Sequence, residues 1–430
     1  MYLNDLASGV NDLNCGVNVN ERNVSILLYA DDIVLIAEDE KSLQKMLDFI
    51  EKWCAKWRMA INPDKTQIVH FRHHNTTKTT IGFKFGSEKL KTVTHYKYLG
   101  VTLDEHIDFE LNSSILADAA GRALGAIRSK LKQIKECGYG AFNTLFSSGV
   151  LTICDYSAGV WSTKIFPKTE QVQYKAARYF LGVHRFAPIE ALLGDMGWST
   201  ARTRHKILML QYWNRLCLLP NDRITRSLFI WDIQNFSNKK GAWSYHIKHI
   251  LQEIGLPDTF QNMSLVNIEY AKSMLCDSDN DECDNKRYRS DKLRYYNLYK
   301  ADNAPADFVK MNITKYQRSI FAQFRSGILP LEIEVGRYRN IDLSERKCKL
   351  CTSELVEDEI HFLIDCPLYS TERELLFSQA ILSDSSFHNL DSLSKFVHLM
   401  SNHERNVITF VSNAFRKRQN HISMRPANGI

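Results

Sequence analysis

The sequence predicts an α+β protein in which a small antiparallel sheet with helices precedes a mostly helical region and a short metal-binding element. Three observations favour this class. Two apolar, β-prone runs flank adjacent aspartates between 26 and 36. Apolar residues then recur at the helical spacings of three and four, as in the segment 207–217. Three cysteines and one histidine follow between 348 and 366, with a spacing typical of a metal site.

Asp31 and Asp32 lie between the two apolar runs, where a tight turn between neighbouring strands is expected. Burying two adjacent carboxylates there is costly, because desolvation and mutual repulsion oppose their ionisation unless a cation stabilises them. Mg²⁺ is usually held by one or two carboxylates together with phosphates and water, so the pair suits phosphoryl or nucleotidyl transfer. A solvated turn without a metal explains the pair equally well from the pattern alone.

The segment LYADDIVL at 28–35 resembles the Tyr-x-Asp-Asp palm motif of reverse transcriptases from non-LTR, LINE-like retrotransposons. The resemblance continues in order to about Tyr369. It implies a partial polymerase palm, a helical thumb and connection region, and a zinc-binding element. In the intact RNA-directed DNA polymerase, Asp31 and Asp32 would bind Mg²⁺ while the primer 3′ hydroxyl attacks the α-phosphate of a deoxynucleotide.

Downstream of the aspartates, the pattern predicts an amphipathic helix that begins near Asp39, a turn at 62–64 and a strand at 67–71. The turn resembles the next palm motif of these polymerases, which places Lys65 near the incoming nucleotide. A cation there would stabilise developing phosphate charge. The local sequence is equally compatible with a solvated loop lysine.

Tyr98, Leu99 and Gly100 resemble the primer-grip motif, and a glycine at this point permits a sharp turn. The helix that follows has an apolar stripe and resembles a thumb helix. Its basic residues outside the stripe are Arg122, Arg128, Lys130, Lys132 and Lys135. Such residues can contact a phosphate backbone, although solvated surface charge explains any single one of them.

The middle of the chain is basic. Between Arg178 and His249 the sequence contains 11 Lys and Arg residues against 4 Asp and Glu residues, interleaved with aromatic residues. This mixture predicts a nucleic-acid-binding face that includes the following residues: Arg178, Arg202, Arg204 and Lys206. A helical layer with aromatic residues in the core and cations in water explains the same pattern.

The spacing Cys348-x2-Cys351-x9-His361-x4-Cys366 predicts a zinc site. Four protein ligands leave no open position, so the zinc would be structural and local folding would depend on it. Chance spacing among ten cysteines is the alternative. The motif resembles the zinc-binding element near the end of LINE-like reverse transcriptases, where the resemblance implies contact with template RNA or target DNA.

These patterns divide the chain into six segments. An acidic stretch without apolar residues predicts a linker or exposed loop. The segments are a partial palm at 1–110, a basic helical thumb and connection region at 111–276, the acidic linker or loop at 277–285, a helical region at 286–346, the zinc-binding element at 347–370 and a C-terminal helical segment at 371–430.

A two-metal polymerase needs a further carboxylate from a separate palm strand, and the family's ligand precedes the Tyr-x-Asp-Asp hairpin by many tens of residues. Only 28 residues precede Tyr29, and neither Asp5 nor Asp12 matches that ligand. We therefore expect the C-terminal part of a longer enzyme, with little or no polymerisation on its own. The expected partners are an RNA template and a DNA primer or target. The alternatives are a non-catalytic RNA- or DNA-binding module with structural zinc, and a decayed element without function.

Composition and pattern also argue against a membrane protein, a secreted protein and a protein with a Gly-rich phosphate loop. The 430 residues carry a formal net charge of +6 and no apolar run near the roughly 20 residues that span a bilayer. No secretory signal pattern and no Gly-rich phosphate loop is present in the sequence. We expect no membrane partner and an intracellular protein of the cytoplasm and nucleus, with reduced cysteines. The pattern does not fix the oligomeric state.

Overall fold

The computed structural model describes residues 3–134, 137–300, 302 and 304–424, and the chain divides into two compact units. Lys135, predicted on the thumb helix, lies outside the described residues. Unit 1 contains residues up to 116 together with 155–166 and 205–272, and unit 2 contains the remainder. Among the described helices, none has both the length and the apolar character needed to cross a membrane.

The strands of the described chain all lie in unit 1 and form two-stranded ladders. Four ladders are antiparallel, β1 with β2, β3 with β4, β6 with β7 and β9 with β10, while β5 and β8 pair in parallel. The elements up to residue 104 are α1 (Asn4–Asp12), β1 (Val17–Val19), β2 (Arg22–Val24), β3 (Ile26–Tyr29), β4 (Asp32–Leu35), α2 (Glu40–Trp57), β5 (Gln67–Val69), β6 (Lys84–Phe85), β7 (Glu88–Lys89), β8 (Lys91–Val93), β9 (His95–Tyr98) and β10 (Val101–Asp104). The predicted single antiparallel sheet is therefore present only as separate hairpins plus one parallel pair.

The rest of the described chain is mostly helical, as predicted beyond residue 110, except that a helix also covers the predicted linker at 277–285. The α-helices are α3 (Glu110–Leu131), α4 (Tyr139–Phe146), α5 (Thr152–Cys154), α6 (Ala158–Trp161), α7 (Pro167–Leu181), α8 (Ile189–Met196), α9 (Ala201–Cys217), α10 (Ile224–Phe236), α11 (Trp243–Glu253), α12 (Pro257–Gln261), α13 (Ile268–Tyr288), α14 (Asp307–Lys310), α15 (Lys315–Arg325), α16 (Glu332–Tyr338), α17 (Ser370–Ser383), α18 (Ser392–Asn402) and α19 (Glu404–Met424). Short π-helical segments occur at Ser147–Leu151 and His361–Asp365, and 3₁₀ turns at Tyr296–Leu298, Leu343–Glu345, Pro367–Tyr369 and Ser385–Asn389.

The core of unit 1 supports the β3–β4 hairpin. Helix α2 begins where predicted, because the Asp39 side chain accepts a hydrogen bond from the backbone N–H of Ser42 and caps the helix. Its apolar face is buried together with residues of α1. Ile26, Ile33 and Leu35 pack against this core from one face of the hairpin. The two helices therefore fix the orientation of the strands that carry the aspartates.

The predicted acidic linker at 277–285 is wrong as local structure, because the segment lies inside α13. The helix is stabilised by contacts that the local pattern does not reveal. The backbone N–H and the hydroxyl of Thr200 both donate to the Asp279 carboxylate, at 2.9 and 3.0 Å. Glu282 and Lys286 form an ion pair at the favourable i, i+4 spacing.

Unit 2 contains a buried ion-pair network at its centre. Arg325 of α15 and Asp195 of α8 are each only 2% exposed at the side chain and pair at 2.8 Å. Glu404, at the start of α19, pairs with Arg325 at 3.1 Å, and Tyr296 donates its hydroxyl hydrogen to Asp195 at 2.8 Å. Burial raises the pKa of Glu404 to about 7 in spite of the neighbouring guanidinium.

Candidate active site and metal centre

The predicted hairpin is confirmed, and its turn places both aspartates at the tip. Strands β3 and β4 pair in register so that Tyr29 lies opposite Asp32. Ala30 and Asp31 make the two-residue connection, and Ala30 adopts the left-handed conformation with φ of 52°. Both carboxylates are exposed, so the desolvation cost expected from the sequence does not arise in this structure.

A second hairpin brings Tyr98 close to Asp32. Burial and the negative charge of Asp32 together raise the pKa of the Tyr98 hydroxyl. The β9–β10 connection is made by Leu99 and Gly100, which both have positive φ, 45° and 87°. Such a turn matches the twist of a hairpin and favours glycine. Asp32, the second aspartate of the pair, is thus near enough to Tyr98 for its charge to act on the hydroxyl.

Tyr156 supports the turn at 99–100, a role that sequence reasoning missed. Its hydroxyl donates to the Leu99 carbonyl at 3.0 Å. Its ring packs against Gly100 so closely that a Cβ at that position would lie 2.6 Å from the ring. The positive φ favours glycine at position 100, and any larger residue would also have to displace the Tyr156 ring. The contact spans 57 residues of sequence, and no local pattern around Tyr156 signals it.

Lys65 lies in the predicted turn before β5. The Asn62 side chain accepts hydrogen bonds from the backbone N–H groups of Asp64 and Lys65 and so fixes the turn. The Lys65 side chain is exposed, and its ammonium makes no ion pair with any described residue. The structure thus leaves this cation available, without placing it against Asp31 or Asp32.

The four cations predicted to form one nucleic-acid-binding face have mostly internal partners. Arg202 pairs with Glu282 at 3.6 Å, and Arg204 donates to the Gln173 side chain at 2.8 Å. Lys206 belongs to unit 1 and pairs with Glu253 at 2.6 Å. Arg178 is half-buried, and burial lowers its pKa. These contacts argue against one shared nucleic-acid-binding face, and they also differ from the alternative, in which the cations are solvated.

Several aromatic residues of the same region pack inside the protein, although Phe186 is 54% exposed. Phe180 and Trp213 are buried. Trp198 stacks on Phe146 and donates its indole N–H to Asn143 at 2.8 Å. These rings are therefore engaged inside the protein and do not present a free face to a base.

A more exposed basic surface lies on α3 and α7 within unit 2. Residues 119–134 and 171–186 contain no Asp or Glu. The two helices touch where the Arg128 guanidinium lies 4.8 Å from the centre of the Tyr179 ring. We define the α3–α7 basic surface by its exposed cations, which are Arg122, Arg128, Lys130, Lys132, Lys175 and Arg185. None of them forms an ion pair with a described residue.

The Cys/His element, residues 347–366, brings its four predicted ligands together. One ligand atom from each of Cys348, Cys351, His361 and Cys366 lies within 4.8 Å of the others. In the described residues, this is the only group of three or more His, Cys, Asp or Glu side chains that converges in this way. Asp31 and Asp32 therefore have no third such ligand among the described residues.

The geometry and chemistry of the element fit a thiophilic metal. The His361 Nε2 atom lies 3.5 Å from the Cys351 sulfur. Tetrahedral zinc with metal–ligand distances of about 2.0–2.3 Å requires ligand atoms roughly 3.5–4 Å apart. Hydrogen bonding between the thiols lowers the pKa of Cys348 and raises that of Cys366. A lowered pKa favours the thiolate, which is the form that binds metal.

Local backbone contacts fix each half of the element. The N–H of Cys348 donates to the Leu355 carbonyl at 2.8 Å, and Lys347 forms a bridge with Val356. The backbone N–H of His361 donates to the Asp358 carboxylate at 2.8 Å. Cys348, His361 and Cys366 are buried, and the two cysteines belong to the main hydrophobic cluster of unit 2. The element is thus part of a larger core and not a separate finger.

Comparison with known proteins gives the hairpin a family context. The family model of reverse transcriptase (RNA-dependent DNA polymerase) matches residues 2–103. The RNA-directed DNA polymerase from the mobile element jockey of Drosophila melanogaster is 32% identical over 213 residues, which is 47% of this chain and 23% of that protein. The chain is related to the reverse transcriptases of LINE-like mobile elements.

Two other similar proteins also come from mobile elements or transposons. The jockey polymerase of Drosophila funebris is 34% identical over 102 residues, 22% of this chain and 11% of that protein. A transposon-derived protein of Caenorhabditis elegans is 29% identical over 146 residues, 34% of this chain and 52% of that protein. The matches thus span about half or less of these relatives. The reverse-transcriptase match includes the β3–β4 hairpin, Lys65 and the turn at 99–100, and it ends within β10, before the Cys/His element.

Proposed function

We propose that the chain contributes the Mg²⁺-binding hairpin and the primer-positioning turn of a LINE-like RNA-directed DNA polymerase. The observation that supports this most is the exposed Asp31–Asp32 tip, inside the matched region and beside Tyr98. Asp31 would be the principal ligand and Asp32 its neighbour. Bound Mg²⁺ would neutralise phosphate charge and activate the primer hydroxyl. Tyr98, Leu99 and Gly100 would position the primer, and Lys65 would stabilise charge on the leaving pyrophosphate.

The reaction would form a bond between the primer 3′ oxygen and the α-phosphorus, and would break the bond to the β-phosphate. Two-metal transfer requires ligands on both sides of this centre. Asp31 and Asp32 alone supply one edge of it. We therefore propose that polymerisation by this chain alone is weak or absent, and that a further carboxylate completes the site in the intact enzyme.

We propose further that the Cys/His element binds structural Zn²⁺ through Cys348, Cys351, His361 and Cys366. Four ligands close the coordination shell, so the ion would contribute folding energy and not catalysis. The proposed partners are an RNA template and a DNA primer or target, inside the cell in the cytoplasm and nucleus. The α3–α7 basic surface would contact their phosphates, because it concentrates exposed cations in two segments, 119–134 and 171–186, that contain no Asp or Glu.

The test combines binding and extension with the full chain. Binding to an RNA template annealed to a DNA primer, followed by fluorescence anisotropy, is expected at low salt and weakens as salt rises. Arg128→Gln with Lys132→Gln should reduce the salt slope by about one for each lost phosphate contact. Lys310→Gln, an exposed substitution elsewhere in unit 2, is the control. Absence of binding at low salt would contradict the proposal. Primer extension that Asp31→Ala abolishes would show that the chain is active alone.

A second candidate function is a non-catalytic RNA- or DNA-binding module with structural zinc. The α3–α7 basic surface and the buried Cys/His element favour it, because neither depends on Asp31 or Asp32. Affinity for the template–primer that is the same with and without Mg²⁺ and deoxynucleotide, in wild type and in Asp31→Ala, would support this candidate over the polymerase.

A further inference from the structure

Two buried arginines from the C-terminal helices enclose the Cys/His element. Arg373 of α17 and Arg418 of α19 are 7% and 4% exposed. By itself, the basic run at 416–418 is compatible with a solvated tail or a nucleic-acid contact. In the structure, Arg418 and its neighbour Lys417 both have internal partners.

Arg373 holds the backbone around the last cysteine ligand. It donates to the carbonyl of Leu363 and to the carbonyl of Cys366, each at 2.8 Å. Both carbonyls lie at the end of the π-helical segment that carries His361, where backbone acceptors lack partners within the helix. One guanidinium therefore fixes the connection between two of the four ligands.

Arg418 reaches the loop between the two halves of the ligand set. Its Nε donates to one oxygen of Glu357 at 2.9 Å, and its Nη2 donates to the other at 2.6 Å. Glu357 is 1% exposed, lies four residues before His361 and accepts a further hydrogen bond from the backbone N–H of Glu332 at 2.8 Å. A bidentate pair of this kind has well-defined geometry as well as charge.

The segment that carries the first two ligands, Cys348 and Cys351, is held by Glu332, the residue whose backbone N–H donates to Glu357. Lys349 lies between Cys348 and Cys351 and pairs with the Glu332 carboxylate at 2.6 Å. Arg418 also lies 3.7 Å from the other oxygen of that carboxylate. Glu332 therefore connects the Cys348–Cys351 segment with the Arg418–Glu357 pair. The ligand arrangement depends on where α19 lies.

We propose that Arg418 is a positioning residue for the metal site, and that its pair with Glu357 couples metal affinity to the docking of α19. This inference rests on the proposed Zn²⁺ site. Outer-shell partners of ligands orient them, and their loss typically costs about 10–100-fold in metal affinity. Linkage is reciprocal, so bound metal stabilises the docked helix by the same factor.

The experiment is a Co²⁺ titration of the reduced full chain, followed through thiolate-to-cobalt absorption, with Zn²⁺ competition to obtain affinities. Arg418→Met and Glu357→Gln should each weaken binding about 10-fold or more. The double variant should bind Co²⁺ as tightly as the single variant with the lower affinity, because both substitutions remove the same ion pair. Arg416→Met is the matched control, since Arg416 is exposed on the same helix and packs over Tyr316.

Arg418→Lys keeps the charge but not the bidentate geometry, so it tests the proposal if Arg418→Met does not fold. Hydrogen exchange gives a second readout, and zinc should slow exchange at 404–424 more in the wild type than in Arg418→Lys. Equal Co²⁺ affinity in wild type and in the folded Arg418 variants would overturn this inference and leave the metal site intact. A wild-type chain that does not bind Co²⁺ would overturn the metal site itself and this inference with it.

Discussion

The Asp31–Asp32 hairpin and the Cys/His element both offer metal ligands, but they differ in how complete they are. The hairpin presents two exposed carboxylates at a turn, beside Tyr98. The element places four ligand atoms within 4.8 Å of one another in a buried setting. The two candidate sites thus differ in kind, since one is open to solvent and the other is enclosed by the protein's own side chains.

The difference follows from the chemistry of the two ions. Mg²⁺ keeps waters and takes phosphate oxygens from substrate, so its protein ligands remain few and accessible. Zinc in a structural site takes all its ligands from thiolate and imidazole groups, so those ligands must be placed by the fold. We therefore expect the element to function within this chain, and the hairpin to depend on nucleic acid, nucleotide and a further carboxylate.

The largest expected effect is the loss of the closed site. Cys366→Ser should abolish Co²⁺ and Zn²⁺ binding at micromolar metal and lower the stability of unit 2. At free zinc about 1,000 times the dissociation constant, binding stabilises the native state by about 4 kcal/mol. Urea unfolding with and without zinc measures this. Cys137→Ser, at a cysteine outside the element, should keep the full zinc effect. An equal response in both variants would contradict the ligand assignment.

Buried and exposed acids should also differ in their pH response. Glu404 has a folded-state pKa of about 7, above its ordinary value of 4.5, because it is buried. Folding therefore favours its protonated form, so its stabilising contribution is present below pH 4.5 and is lost as pH rises through 7. The loss is at most about 3 kcal/mol.

The free energy of unfolding, measured below pH 4.5 and above pH 7, should show this loss of stability in wild type and a smaller loss in Glu404→Gln. Glu374→Gln, at an exposed position of α17, serves as the control and should follow the wild type. If Glu404→Gln retains the whole pH dependence, another group is responsible for it.

The turn at Leu99 and Gly100 should tolerate less change at its glycine than a helix does at an ordinary glycine. Gly100→Ala forces a side chain into a position with φ of 87° and into the Tyr156 ring, and should cost about 1–3 kcal/mol. Gly125→Ala in α3 meets no atom within 4 Å and should stabilise by up to about 1 kcal/mol. Thermal melts of the two variants test this. Destabilisation of similar size in both would mean that the turn is not constrained as described.

The smallest expected effect on stability is at the hairpin tip itself. Asp31→Asn with Asp32→Asn should change the free energy of unfolding by no more than about 0.5 kcal/mol, because both side chains are exposed. Urea unfolding is the measurement. A large stabilisation would show that repulsion between the carboxylates strains the folded chain. A large destabilisation would assign the pair a structural role.

Local signals in the sequence were sufficient for both metal-ligand arrangements. The Asp-Asp turn lies between two complementary strands, and the cysteine spacing closes over a short loop, so each is encoded within about 20 residues. The long-range partners were not predictable in this way. Glu357 meets Arg418 across 61 residues, which buries part of a basic run near the end of α19. Thr200 meets Asp279 across 79 residues, and the predicted linker is helical.

The predicted nucleic-acid face shows the same limit. Charge counts located a cationic region, but they could not tell which cations are paired. Arg202 has an acidic partner in the fold, whereas Arg128 remains exposed and without an ion pair in the described chain. Predicting that difference requires the tertiary arrangement of α3, α7 and α13.

The most direct test of the central claim is Mn²⁺ electron paramagnetic resonance on the full chain, with template–primer and deoxynucleotide present. Wild type should immobilise more Mn²⁺ than the Asp31→Asn, Asp32→Asn variant, with Asp118→Asn, an exposed substitution on α3, behaving as wild type. Identical Mn²⁺ binding in the wild type and the hairpin variant would contradict the assignment of this pair as polymerase metal ligands.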